Sequence, residues 1–292
     1  MAMNWKVFRT RAVTALVFVL VMMAGLLLNE WSFLLLFSVI HFGCWIEYQR
    51  LLGRIDPSYK NISTFHRYGV MLAGWSMMLY AAGDIYHIAN ITLPGIGLAM
   101  GLTFAFALPI VEILFSQQVN FTHIRYSALG LIYISLSWAL MINTRSIHEI
   151  WVTGNGWPYE VGLMIPLATI FSIWINDTMA YIVGSLIGKT PFSKISPKKT
   201  IEGTAGGIIL CVAAMGTLAY FIKMPVIHIC IIAAISAIAG TAGDLLESKI
   251  KRVANVKDSG SIMPGHGGFL DRFDSLLLAT PFVWLYVMIV MK

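Results

Sequence analysis

The sequence predicts an all-α integral membrane protein of about nine transmembrane helices. Of its 292 residues 58% are hydrophobic and only 12% are charged, and mean hydropathy is +0.77. A soluble core of this size could not hide so much apolar surface. Inside a bilayer a helix satisfies its own backbone, and the apolar runs here are of helix length. The formal net charge of +6 does not point to nucleic acid, because the cations sit in short segments between apolar runs and form no soluble basic face. The bilayer, its anionic headgroups and nucleotide phosphates are the expected partners.

The apolar runs cover roughly residues 12–28, 31–46, 68–86, 91–115, 127–142, 162–187, 203–222, 226–243 and 275–291. Pro94 and Pro109 interrupt the fourth, and Asn176-Asp177 breaks the sixth. Lys6, Arg9 and Arg11 before the first run give it the start of a secretory signal. No small-x-small cleavage site follows, so an uncleaved first span is expected. With nine spans, all of the 20 Lys and Arg except Arg145, Lys223 and Lys292 fall on one side. By the positive-inside rule that side, with the N-terminus and the segments 188–202 and 244–274, is cytoplasmic. A multi-pass protein of a bacterial-type inner membrane is the expectation, with any site on those segments facing the cytoplasm.

The chain reads as one polytopic domain, 1–292. Residues 1–160 carry helices without a functional signature, and 161–292 carry the catalytic helices and loops. Cys44, Cys211 and Cys230 lie in apolar runs without metal spacing and read as packing residues. Trp31, Trp45, Trp151, Trp157 and Tyr159, near span ends, read as interfacial anchors. Glu112 lies inside the fourth run, as a functional acid or as one reaching the interface.

Charge collects between Gly243 and Asp274. This stretch holds five of the 14 acids (Asp244, Glu247, Asp258, Asp271, Asp274) and five of the 20 Lys and Arg (Lys249, Lys251, Arg252, Lys257, Arg272). Asp244 with Glu247, and Asp271 with Asp274, are each spaced i,i+3, on one face of a helix. Gly265, Gly267 and Gly268 around His266 free the backbone for close ligand approach. A solvated, self-paired charge run would read similarly. Carboxylates at the ends of apolar spans are costly unless they bind something, however. Hard cations take carboxylate oxygens together with substrate phosphates, while Lys and Arg take the remaining phosphate charge.

A second block runs from Asn176-Asp177 through Gly184, Gly188-Lys189 and Ser196-Pro197-Lys198-Lys199-Thr200 to Glu202-Gly203. Gly184 and Gly188 form a G-x-x-x-G, which suits close helix packing. An intramembrane Asp followed by lysines and a new helix start suits a phosphate pocket, though lysines there also serve as a topology signal.

The order Ser248-x-x-Lys251-Arg252-x4-Lys257-Asp258-x-Gly260-x3-Pro264-x-His266-Gly267-Gly268-x-x-Asp271-Arg272-x-Asp274 resembles the signature of the phosphatidate cytidylyltransferase family, the CDP-diacylglycerol synthases. Met263 stands where the family usually has Leu, Ile or Phe. The Asn176-Asp177, Gly188-Lys189 and Ser196-Pro197-x-Lys199-Thr200 block is similar to the family's as well, so the resemblance covers roughly residues 172–275.

The resemblance implies transfer of CMP from CTP to phosphatidic acid with release of pyrophosphate. It implies Mg²⁺, with room for a second cation, held by Asp244 and Asp271, with Asp177, Asp258 and Asp274 as further carboxylates. It implies phosphate neutralisation by Lys251, Arg252, Lys257, Arg272, Lys189 and Lys199. Ser248 and His266 would be hydrogen-bonding partners, and Asn176, Ser196, Thr200, Gly267 and Gly268 would complete the nucleotide site. A homodimer is left open. A CTP-dependent lipid kinase of the polyprenol or phytol type would use similar residues. A transporter would instead spread its acids along a path.

Overall fold

The structure, a computed structural model, describes residues 5–83, 85–88, 90–115, 120–152, 154, 156, 158–193, 195–261 and 267–291. The described residues form α1 (Trp5–Leu27), α2 (Glu30–Ile55), α3 (Thr64–Tyr80), α4 (Leu93–Phe115), α5 (Phe121–Arg145), α6 (Val161–Ile187), α7 (Ile201–Phe221), α8 (Val226–Val253) and α9 (Leu270–Met291). Each overlaps one predicted apolar run. Two short hairpins pair His87–Ile88 with Ile91–Thr92, and Ile150–Val152 with Pro158–Glu160. Among the described residues seven helices are long and apolar enough to cross a membrane. Of the other two, α1 carries the shorter apolar stretch Ala12–Leu27 and α3 is 17 residues long. The chain is an all-α, multi-pass membrane protein.

The helix ends differ from the ends of the apolar runs. α2 continues to Ile55, α8 continues to Val253, and α9 begins at Leu270. Backbone hydrogen bonding does not require apolar side chains, so a helix can carry charge beyond the hydrocarbon. Lys251 and Arg252 occupy the last turn of α8, where cations suit the negative end of the helix dipole. Asn255 then adopts φ +55°, and Val256 N donates to Lys251 O at 2.9 Å, a helix-ending turn of the left-handed type. Asp244, Glu247, Ser248, Lys251 and Arg252, beyond the end of the eighth apolar run, therefore lie on the same helix, and the i,i+3 pair Asp244 and Glu247 is helical as its spacing suggests. The suspected breaks are absent too: α4 runs through Pro109 and α6 through Asn176-Asp177.

The chain packs as two compact units, one of residues 1–142 with 251–273, the other of residues 143–250 with 274–292. In the first unit, Phe33, Phe37, Trp45, Ile134 and Trp138 are fully buried. The Phe37 and Trp138 ring centroids lie 5.2 Å apart, and Trp138 meets Phe273 edge-on at 5.9 Å. Trp45 is thus a core residue rather than the interfacial anchor its sequence position suggests. Its indole N–H is satisfied internally, donating to Ser135 Oγ at 2.9 Å. Glu112 Oε2 lies 3.2 Å from His66 Nδ1, and His66 Nε2 lies 2.8 Å from Ser127 Oγ. This polar chain ties α3, α4 and α5 together and gives the intramembrane acid a partner.

In the second unit, Cys211, Ile232, Ala233, Ala237 and Val283 belong to one buried cluster. Cys44, in the first unit, and Cys211 are buried and form no disulfide among the described residues, as expected of packing residues. α6 and α7 pack closely through small residues: a Cβ at Gly207 would meet Ala180 Cβ at 2.7 Å, and one at Gly203 would meet Gly184 Cα at 2.9 Å. The glycine spacing therefore serves helix packing.

Candidate active site

The second unit holds a cavity of about 540 Å³, and its walls come from α6, the turn before α7, the start of α7 and α8. α6 supplies Asn176 and Asp177, the turn supplies Ser196, Lys198, Lys199 and Thr200, and α8 supplies Thr241 and Asp244. The turn has a defined shape. Phe192 N donates to Lys199 O at 2.7 Å and Ile201 N to Thr190 O at 2.9 Å, closing a short antiparallel loop. The amides of Lys189 and Thr190 donate to the Glu202 carboxylate at 3.2 Å. Thr200 caps α7, its hydroxyl accepting from Gly203 N at 3.1 Å.

Lys199 Nζ forms an ion pair with Asp244 Oδ2. Ser248, one turn further along α8, donates to Asp244 Oδ1 at 3.3 Å. The amide nitrogen of Asn176 faces Asp177 Oδ1 at 3.4 Å and Thr241 Oγ1 at 3.5 Å, both long. Asn176 Oδ1 is buried and accepts no hydrogen bond among the described residues. Two carboxylates, an orphaned amide oxygen and hydroxyls around one cavity are hard donors of the kind that hold Mg²⁺, and Lys198 and Lys199 add phosphate-binding charge. Such a cation fits this donor set. Asp274, also in this unit, is buried and accepts from Ser275 N at 2.6 Å. Glu247 is fully buried.

The first unit holds a second cluster around Asp271. Its Oδ1 accepts from Lys251 Nζ at 2.6 Å. Its Oδ2 accepts from Gly268 N at 2.7 Å and Ser259 N at 2.9 Å, with Ser259 Oγ at 3.0 Å. Gly267 adopts φ +83°, which an L side chain rarely takes. A Cβ there would also meet Asp271 Oδ2 at 2.6 Å. Arg252, Lys257, Asp258 and Arg272 are exposed, Arg252 Nη1 donating to Val256 O at 3.2 Å. Lys189, in the second unit, is exposed too. His266 lies outside the described residues.

Sequence reasoning missed Glu47. This residue of α2 is buried, 3% exposed. Its carboxylate accepts from Ser259 Oγ at 2.6 Å, Phe269 N at 2.9 Å and Leu270 N at 2.9 Å. A signal was available: Ile40, Cys44, Glu47 and Leu51 recur at helical spacing, and all four are buried. Reading the helix as ending with the apolar run near residue 46 placed Glu47 in a solvated loop.

A family model described as the cytidylyltransferase family matches residues 9–290. The phosphatidate cytidylyltransferase of Bacillus subtilis (strain 168) is 37% identical over 175 residues, which are 59% of this chain and 61% of that protein. The protein of the same name from Aquifex aeolicus (strain VF5) is 40% identical over 129 residues, 43% of this chain and 48% of its own length. That from Synechocystis sp. (strain ATCC 27184 / PCC 6803 / Kazusa) is 39% identical over 147 residues, 49% of each chain. The chain thus spans between 48% and 61% of the length of these relatives.

Proposed function

The chain belongs to the cytidylyltransferase family, and on that ground we propose that it is a phosphatidate cytidylyltransferase, converting CTP and phosphatidic acid to CDP-diacylglycerol and pyrophosphate. The observation that carries this reading is the cavity where Asp177, Asp244 and the orphaned Asn176 oxygen meet Lys198 and Lys199. It offers hard oxygen donors and ammonium groups together, the chemistry a metal–triphosphate needs.

In this reading Asp244 and Asp177 would hold Mg²⁺ in the cavity of the second unit, and Asp271 is proposed as a further ligand on the sequence resemblance alone. When bound, such an ion would supply charge stabilisation to the reacting phosphates. Lys199, released from Asp244, neutralises the triphosphate. Lys198, Lys189, Lys251, Arg252, Lys257 and Arg272 share the phosphate charge, and Ser248 orients Asp244. An oxygen of the phosphatidate phosphate attacks the α-phosphorus in line. The new P–O bond forms as the bond to the β-phosphate oxygen breaks, and pyrophosphate leaves with that electron pair. The monoester is already ionised near neutral pH, so no side chain need remove a proton. The site faces the cytoplasm of a bacterial-type inner membrane, the side on which CTP is found.

Purified protein incubated with CTP, phosphatidate and Mg²⁺ tests the reading by both products. CDP-diacylglycerol with equimolar pyrophosphate supports it. Release of CDP with a phosphorylated lipid would replace it with a lipid kinase, and no turnover of either kind would overturn it.

A further inference from the structure

The two glycine-bearing segments of the signature, Ser259-Gly260 and Gly267–Leu270, are held by a carboxylate far away in the sequence. Phe269 begins α9: Arg272 N and Phe273 N both donate to its carbonyl, at 3.0 and 3.1 Å. Phe269 has no side-chain acceptor for the open amides of the helix's first turn, which a capping residue would ordinarily satisfy. Glu47 supplies the missing acceptor from α2, one oxygen to Phe269 N and the other to Leu270 N. It also takes the Ser259 hydroxyl at 2.6 Å. A Cβ at Gly260 or Gly268 would run into the Glu47 carboxylate. The two glycines therefore make room for Glu47, and their place in the signature follows in part from a residue outside it. A neighbouring contact of the same kind seats the Phe269 ring against Gly43, one turn before Glu47 on α2.

Ser259 links this acid to Asp271. Its hydroxyl donates to Glu47, and its amide donates to Asp271 Oδ2 at 2.9 Å, beside Gly268 N at 2.7 Å. Asp271 thus takes its position from two backbone amides whose own segments are pinned by Glu47. A buried carboxylate without donors is costly. Here three donors satisfy it, so the same bonds that stabilise its charge fix the turn. Occupying the positive end of α9 with a built-in carboxylate also removes a place where a free phosphate would otherwise settle.

We propose that Glu47 is a positioning residue for the transfer reaction. It caps α9 across the first unit and, through Ser259 and the amides of residues 268–270, sets the orientation of Asp271. This rests on the cytidylyl-transfer reading for its effect on catalysis, but the clamp itself is a separate, measurable object. Partners that orient a catalytic carboxylate are typically worth on the order of 10- to 100-fold in activity or metal affinity.

The test compares full-length Glu47→Gln, Glu47→Asp and Ser259→Ala with the unaltered protein in lipid nanodiscs. Gln keeps the size of Glu but places an amide donor against donors. Amide hydrogen exchange should speed up in segments 257–261 and 267–272 of Glu47→Gln, while exchange across α6 and α7 stays unchanged. Per folded molecule, kcat should fall on the order of 10- to 100-fold, and the Mg²⁺ concentration for half-maximal turnover should rise. KM for phosphatidate should change little. Glu47→Asp should recover part of kcat, and Ser259→Ala should show a smaller shift in the same direction. A merely structural Glu47 would lower the folded yield yet leave kcat and the Mg²⁺ midpoint of the folded fraction unmoved, and that result overturns the proposal. If Glu47→Gln does not fold, Ser259→Ala decides, and unchanged kcat and exchange in it also overturn the proposal. Absence of cytidylyl transfer by the unaltered protein would defeat the functional reading instead, with the exchange experiment still deciding whether the clamp exists.

Discussion

Asp244→Asn removes one charge from the cavity of the second unit and keeps the side chain's size. The side chains of the Lys199–Asp244 pair are 27% and 30% exposed. Partly exposed pairs contribute roughly 0–1 kcal/mol to stability, so the variant should insert and fold. Catalysis should respond far more strongly. Among the described residues Asp244 and Asp177 are the two carboxylates lining the cavity, so one substitution halves the fixed negative charge that the cavity itself offers a divalent ion. It also leaves Lys199 beside a neutral amide, where its repulsion of the cation is no longer offset. Metal stabilisation of a phosphoryl-type transition state is worth several kcal/mol. At 1.36 kcal/mol per tenfold, a loss of about 4 kcal/mol is on the order of 10³ in rate. The assay is CDP-diacylglycerol formation by the purified variant across a Mg²⁺ titration, with thermal unfolding as the control for folding. A folded Asp244→Asn protein with near-normal kcat and an unchanged Mg²⁺ midpoint would refute the assignment, and the cavity would then be a salt-bridged cleft.

Chelation with EDTA should abolish turnover and added Mg²⁺ should restore it, while ATP in place of CTP should yield neither a nucleotidyl lipid nor a phosphorylated one; competition and product analysis check both. Gly207→Leu should destabilise the α6–α7 contact by at least about 1–3 kcal/mol, because a Cβ alone would sit 2.7 Å from that of Ala180; a lowered unfolding temperature in detergent reads this. A reporter active only in the cytoplasm, fused after Lys292, should stay silent, and a strong signal would mean that one span has been miscounted.

The membrane class and the place of each helix along the chain follow from the sequence alone, because burial in lipid demands long apolar runs and a self-satisfied backbone. The signature from Ser248 to Asp274 is likewise local: residue types and spacing carry the resemblance to the cytidylyltransferase family, whose model matches residues 9–290. Helix ends were less readable, since hydropathy reports where hydrocarbon stops and not where backbone hydrogen bonding stops. α8 carries Asp244 and Ser248 on a helix for that reason, and the turn at Asn255, not the loss of apolarity, ends it. Partnerships were decided only by the tertiary structure. Asp271 reads from the sequence as a metal ligand, and the structure adds that Lys251, Ser259 and Gly268 donate to its carboxylate. Trp45 has the position of an interfacial anchor and is a core residue because Ser135, 90 residues away, accepts the hydrogen bond of its indole N–H. Glu47 meets Ser259 and Leu270 across 212 and 223 residues. No composition or local period encodes which distant donors will satisfy a buried carboxylate, because that choice is made by helix packing, after each helix has formed.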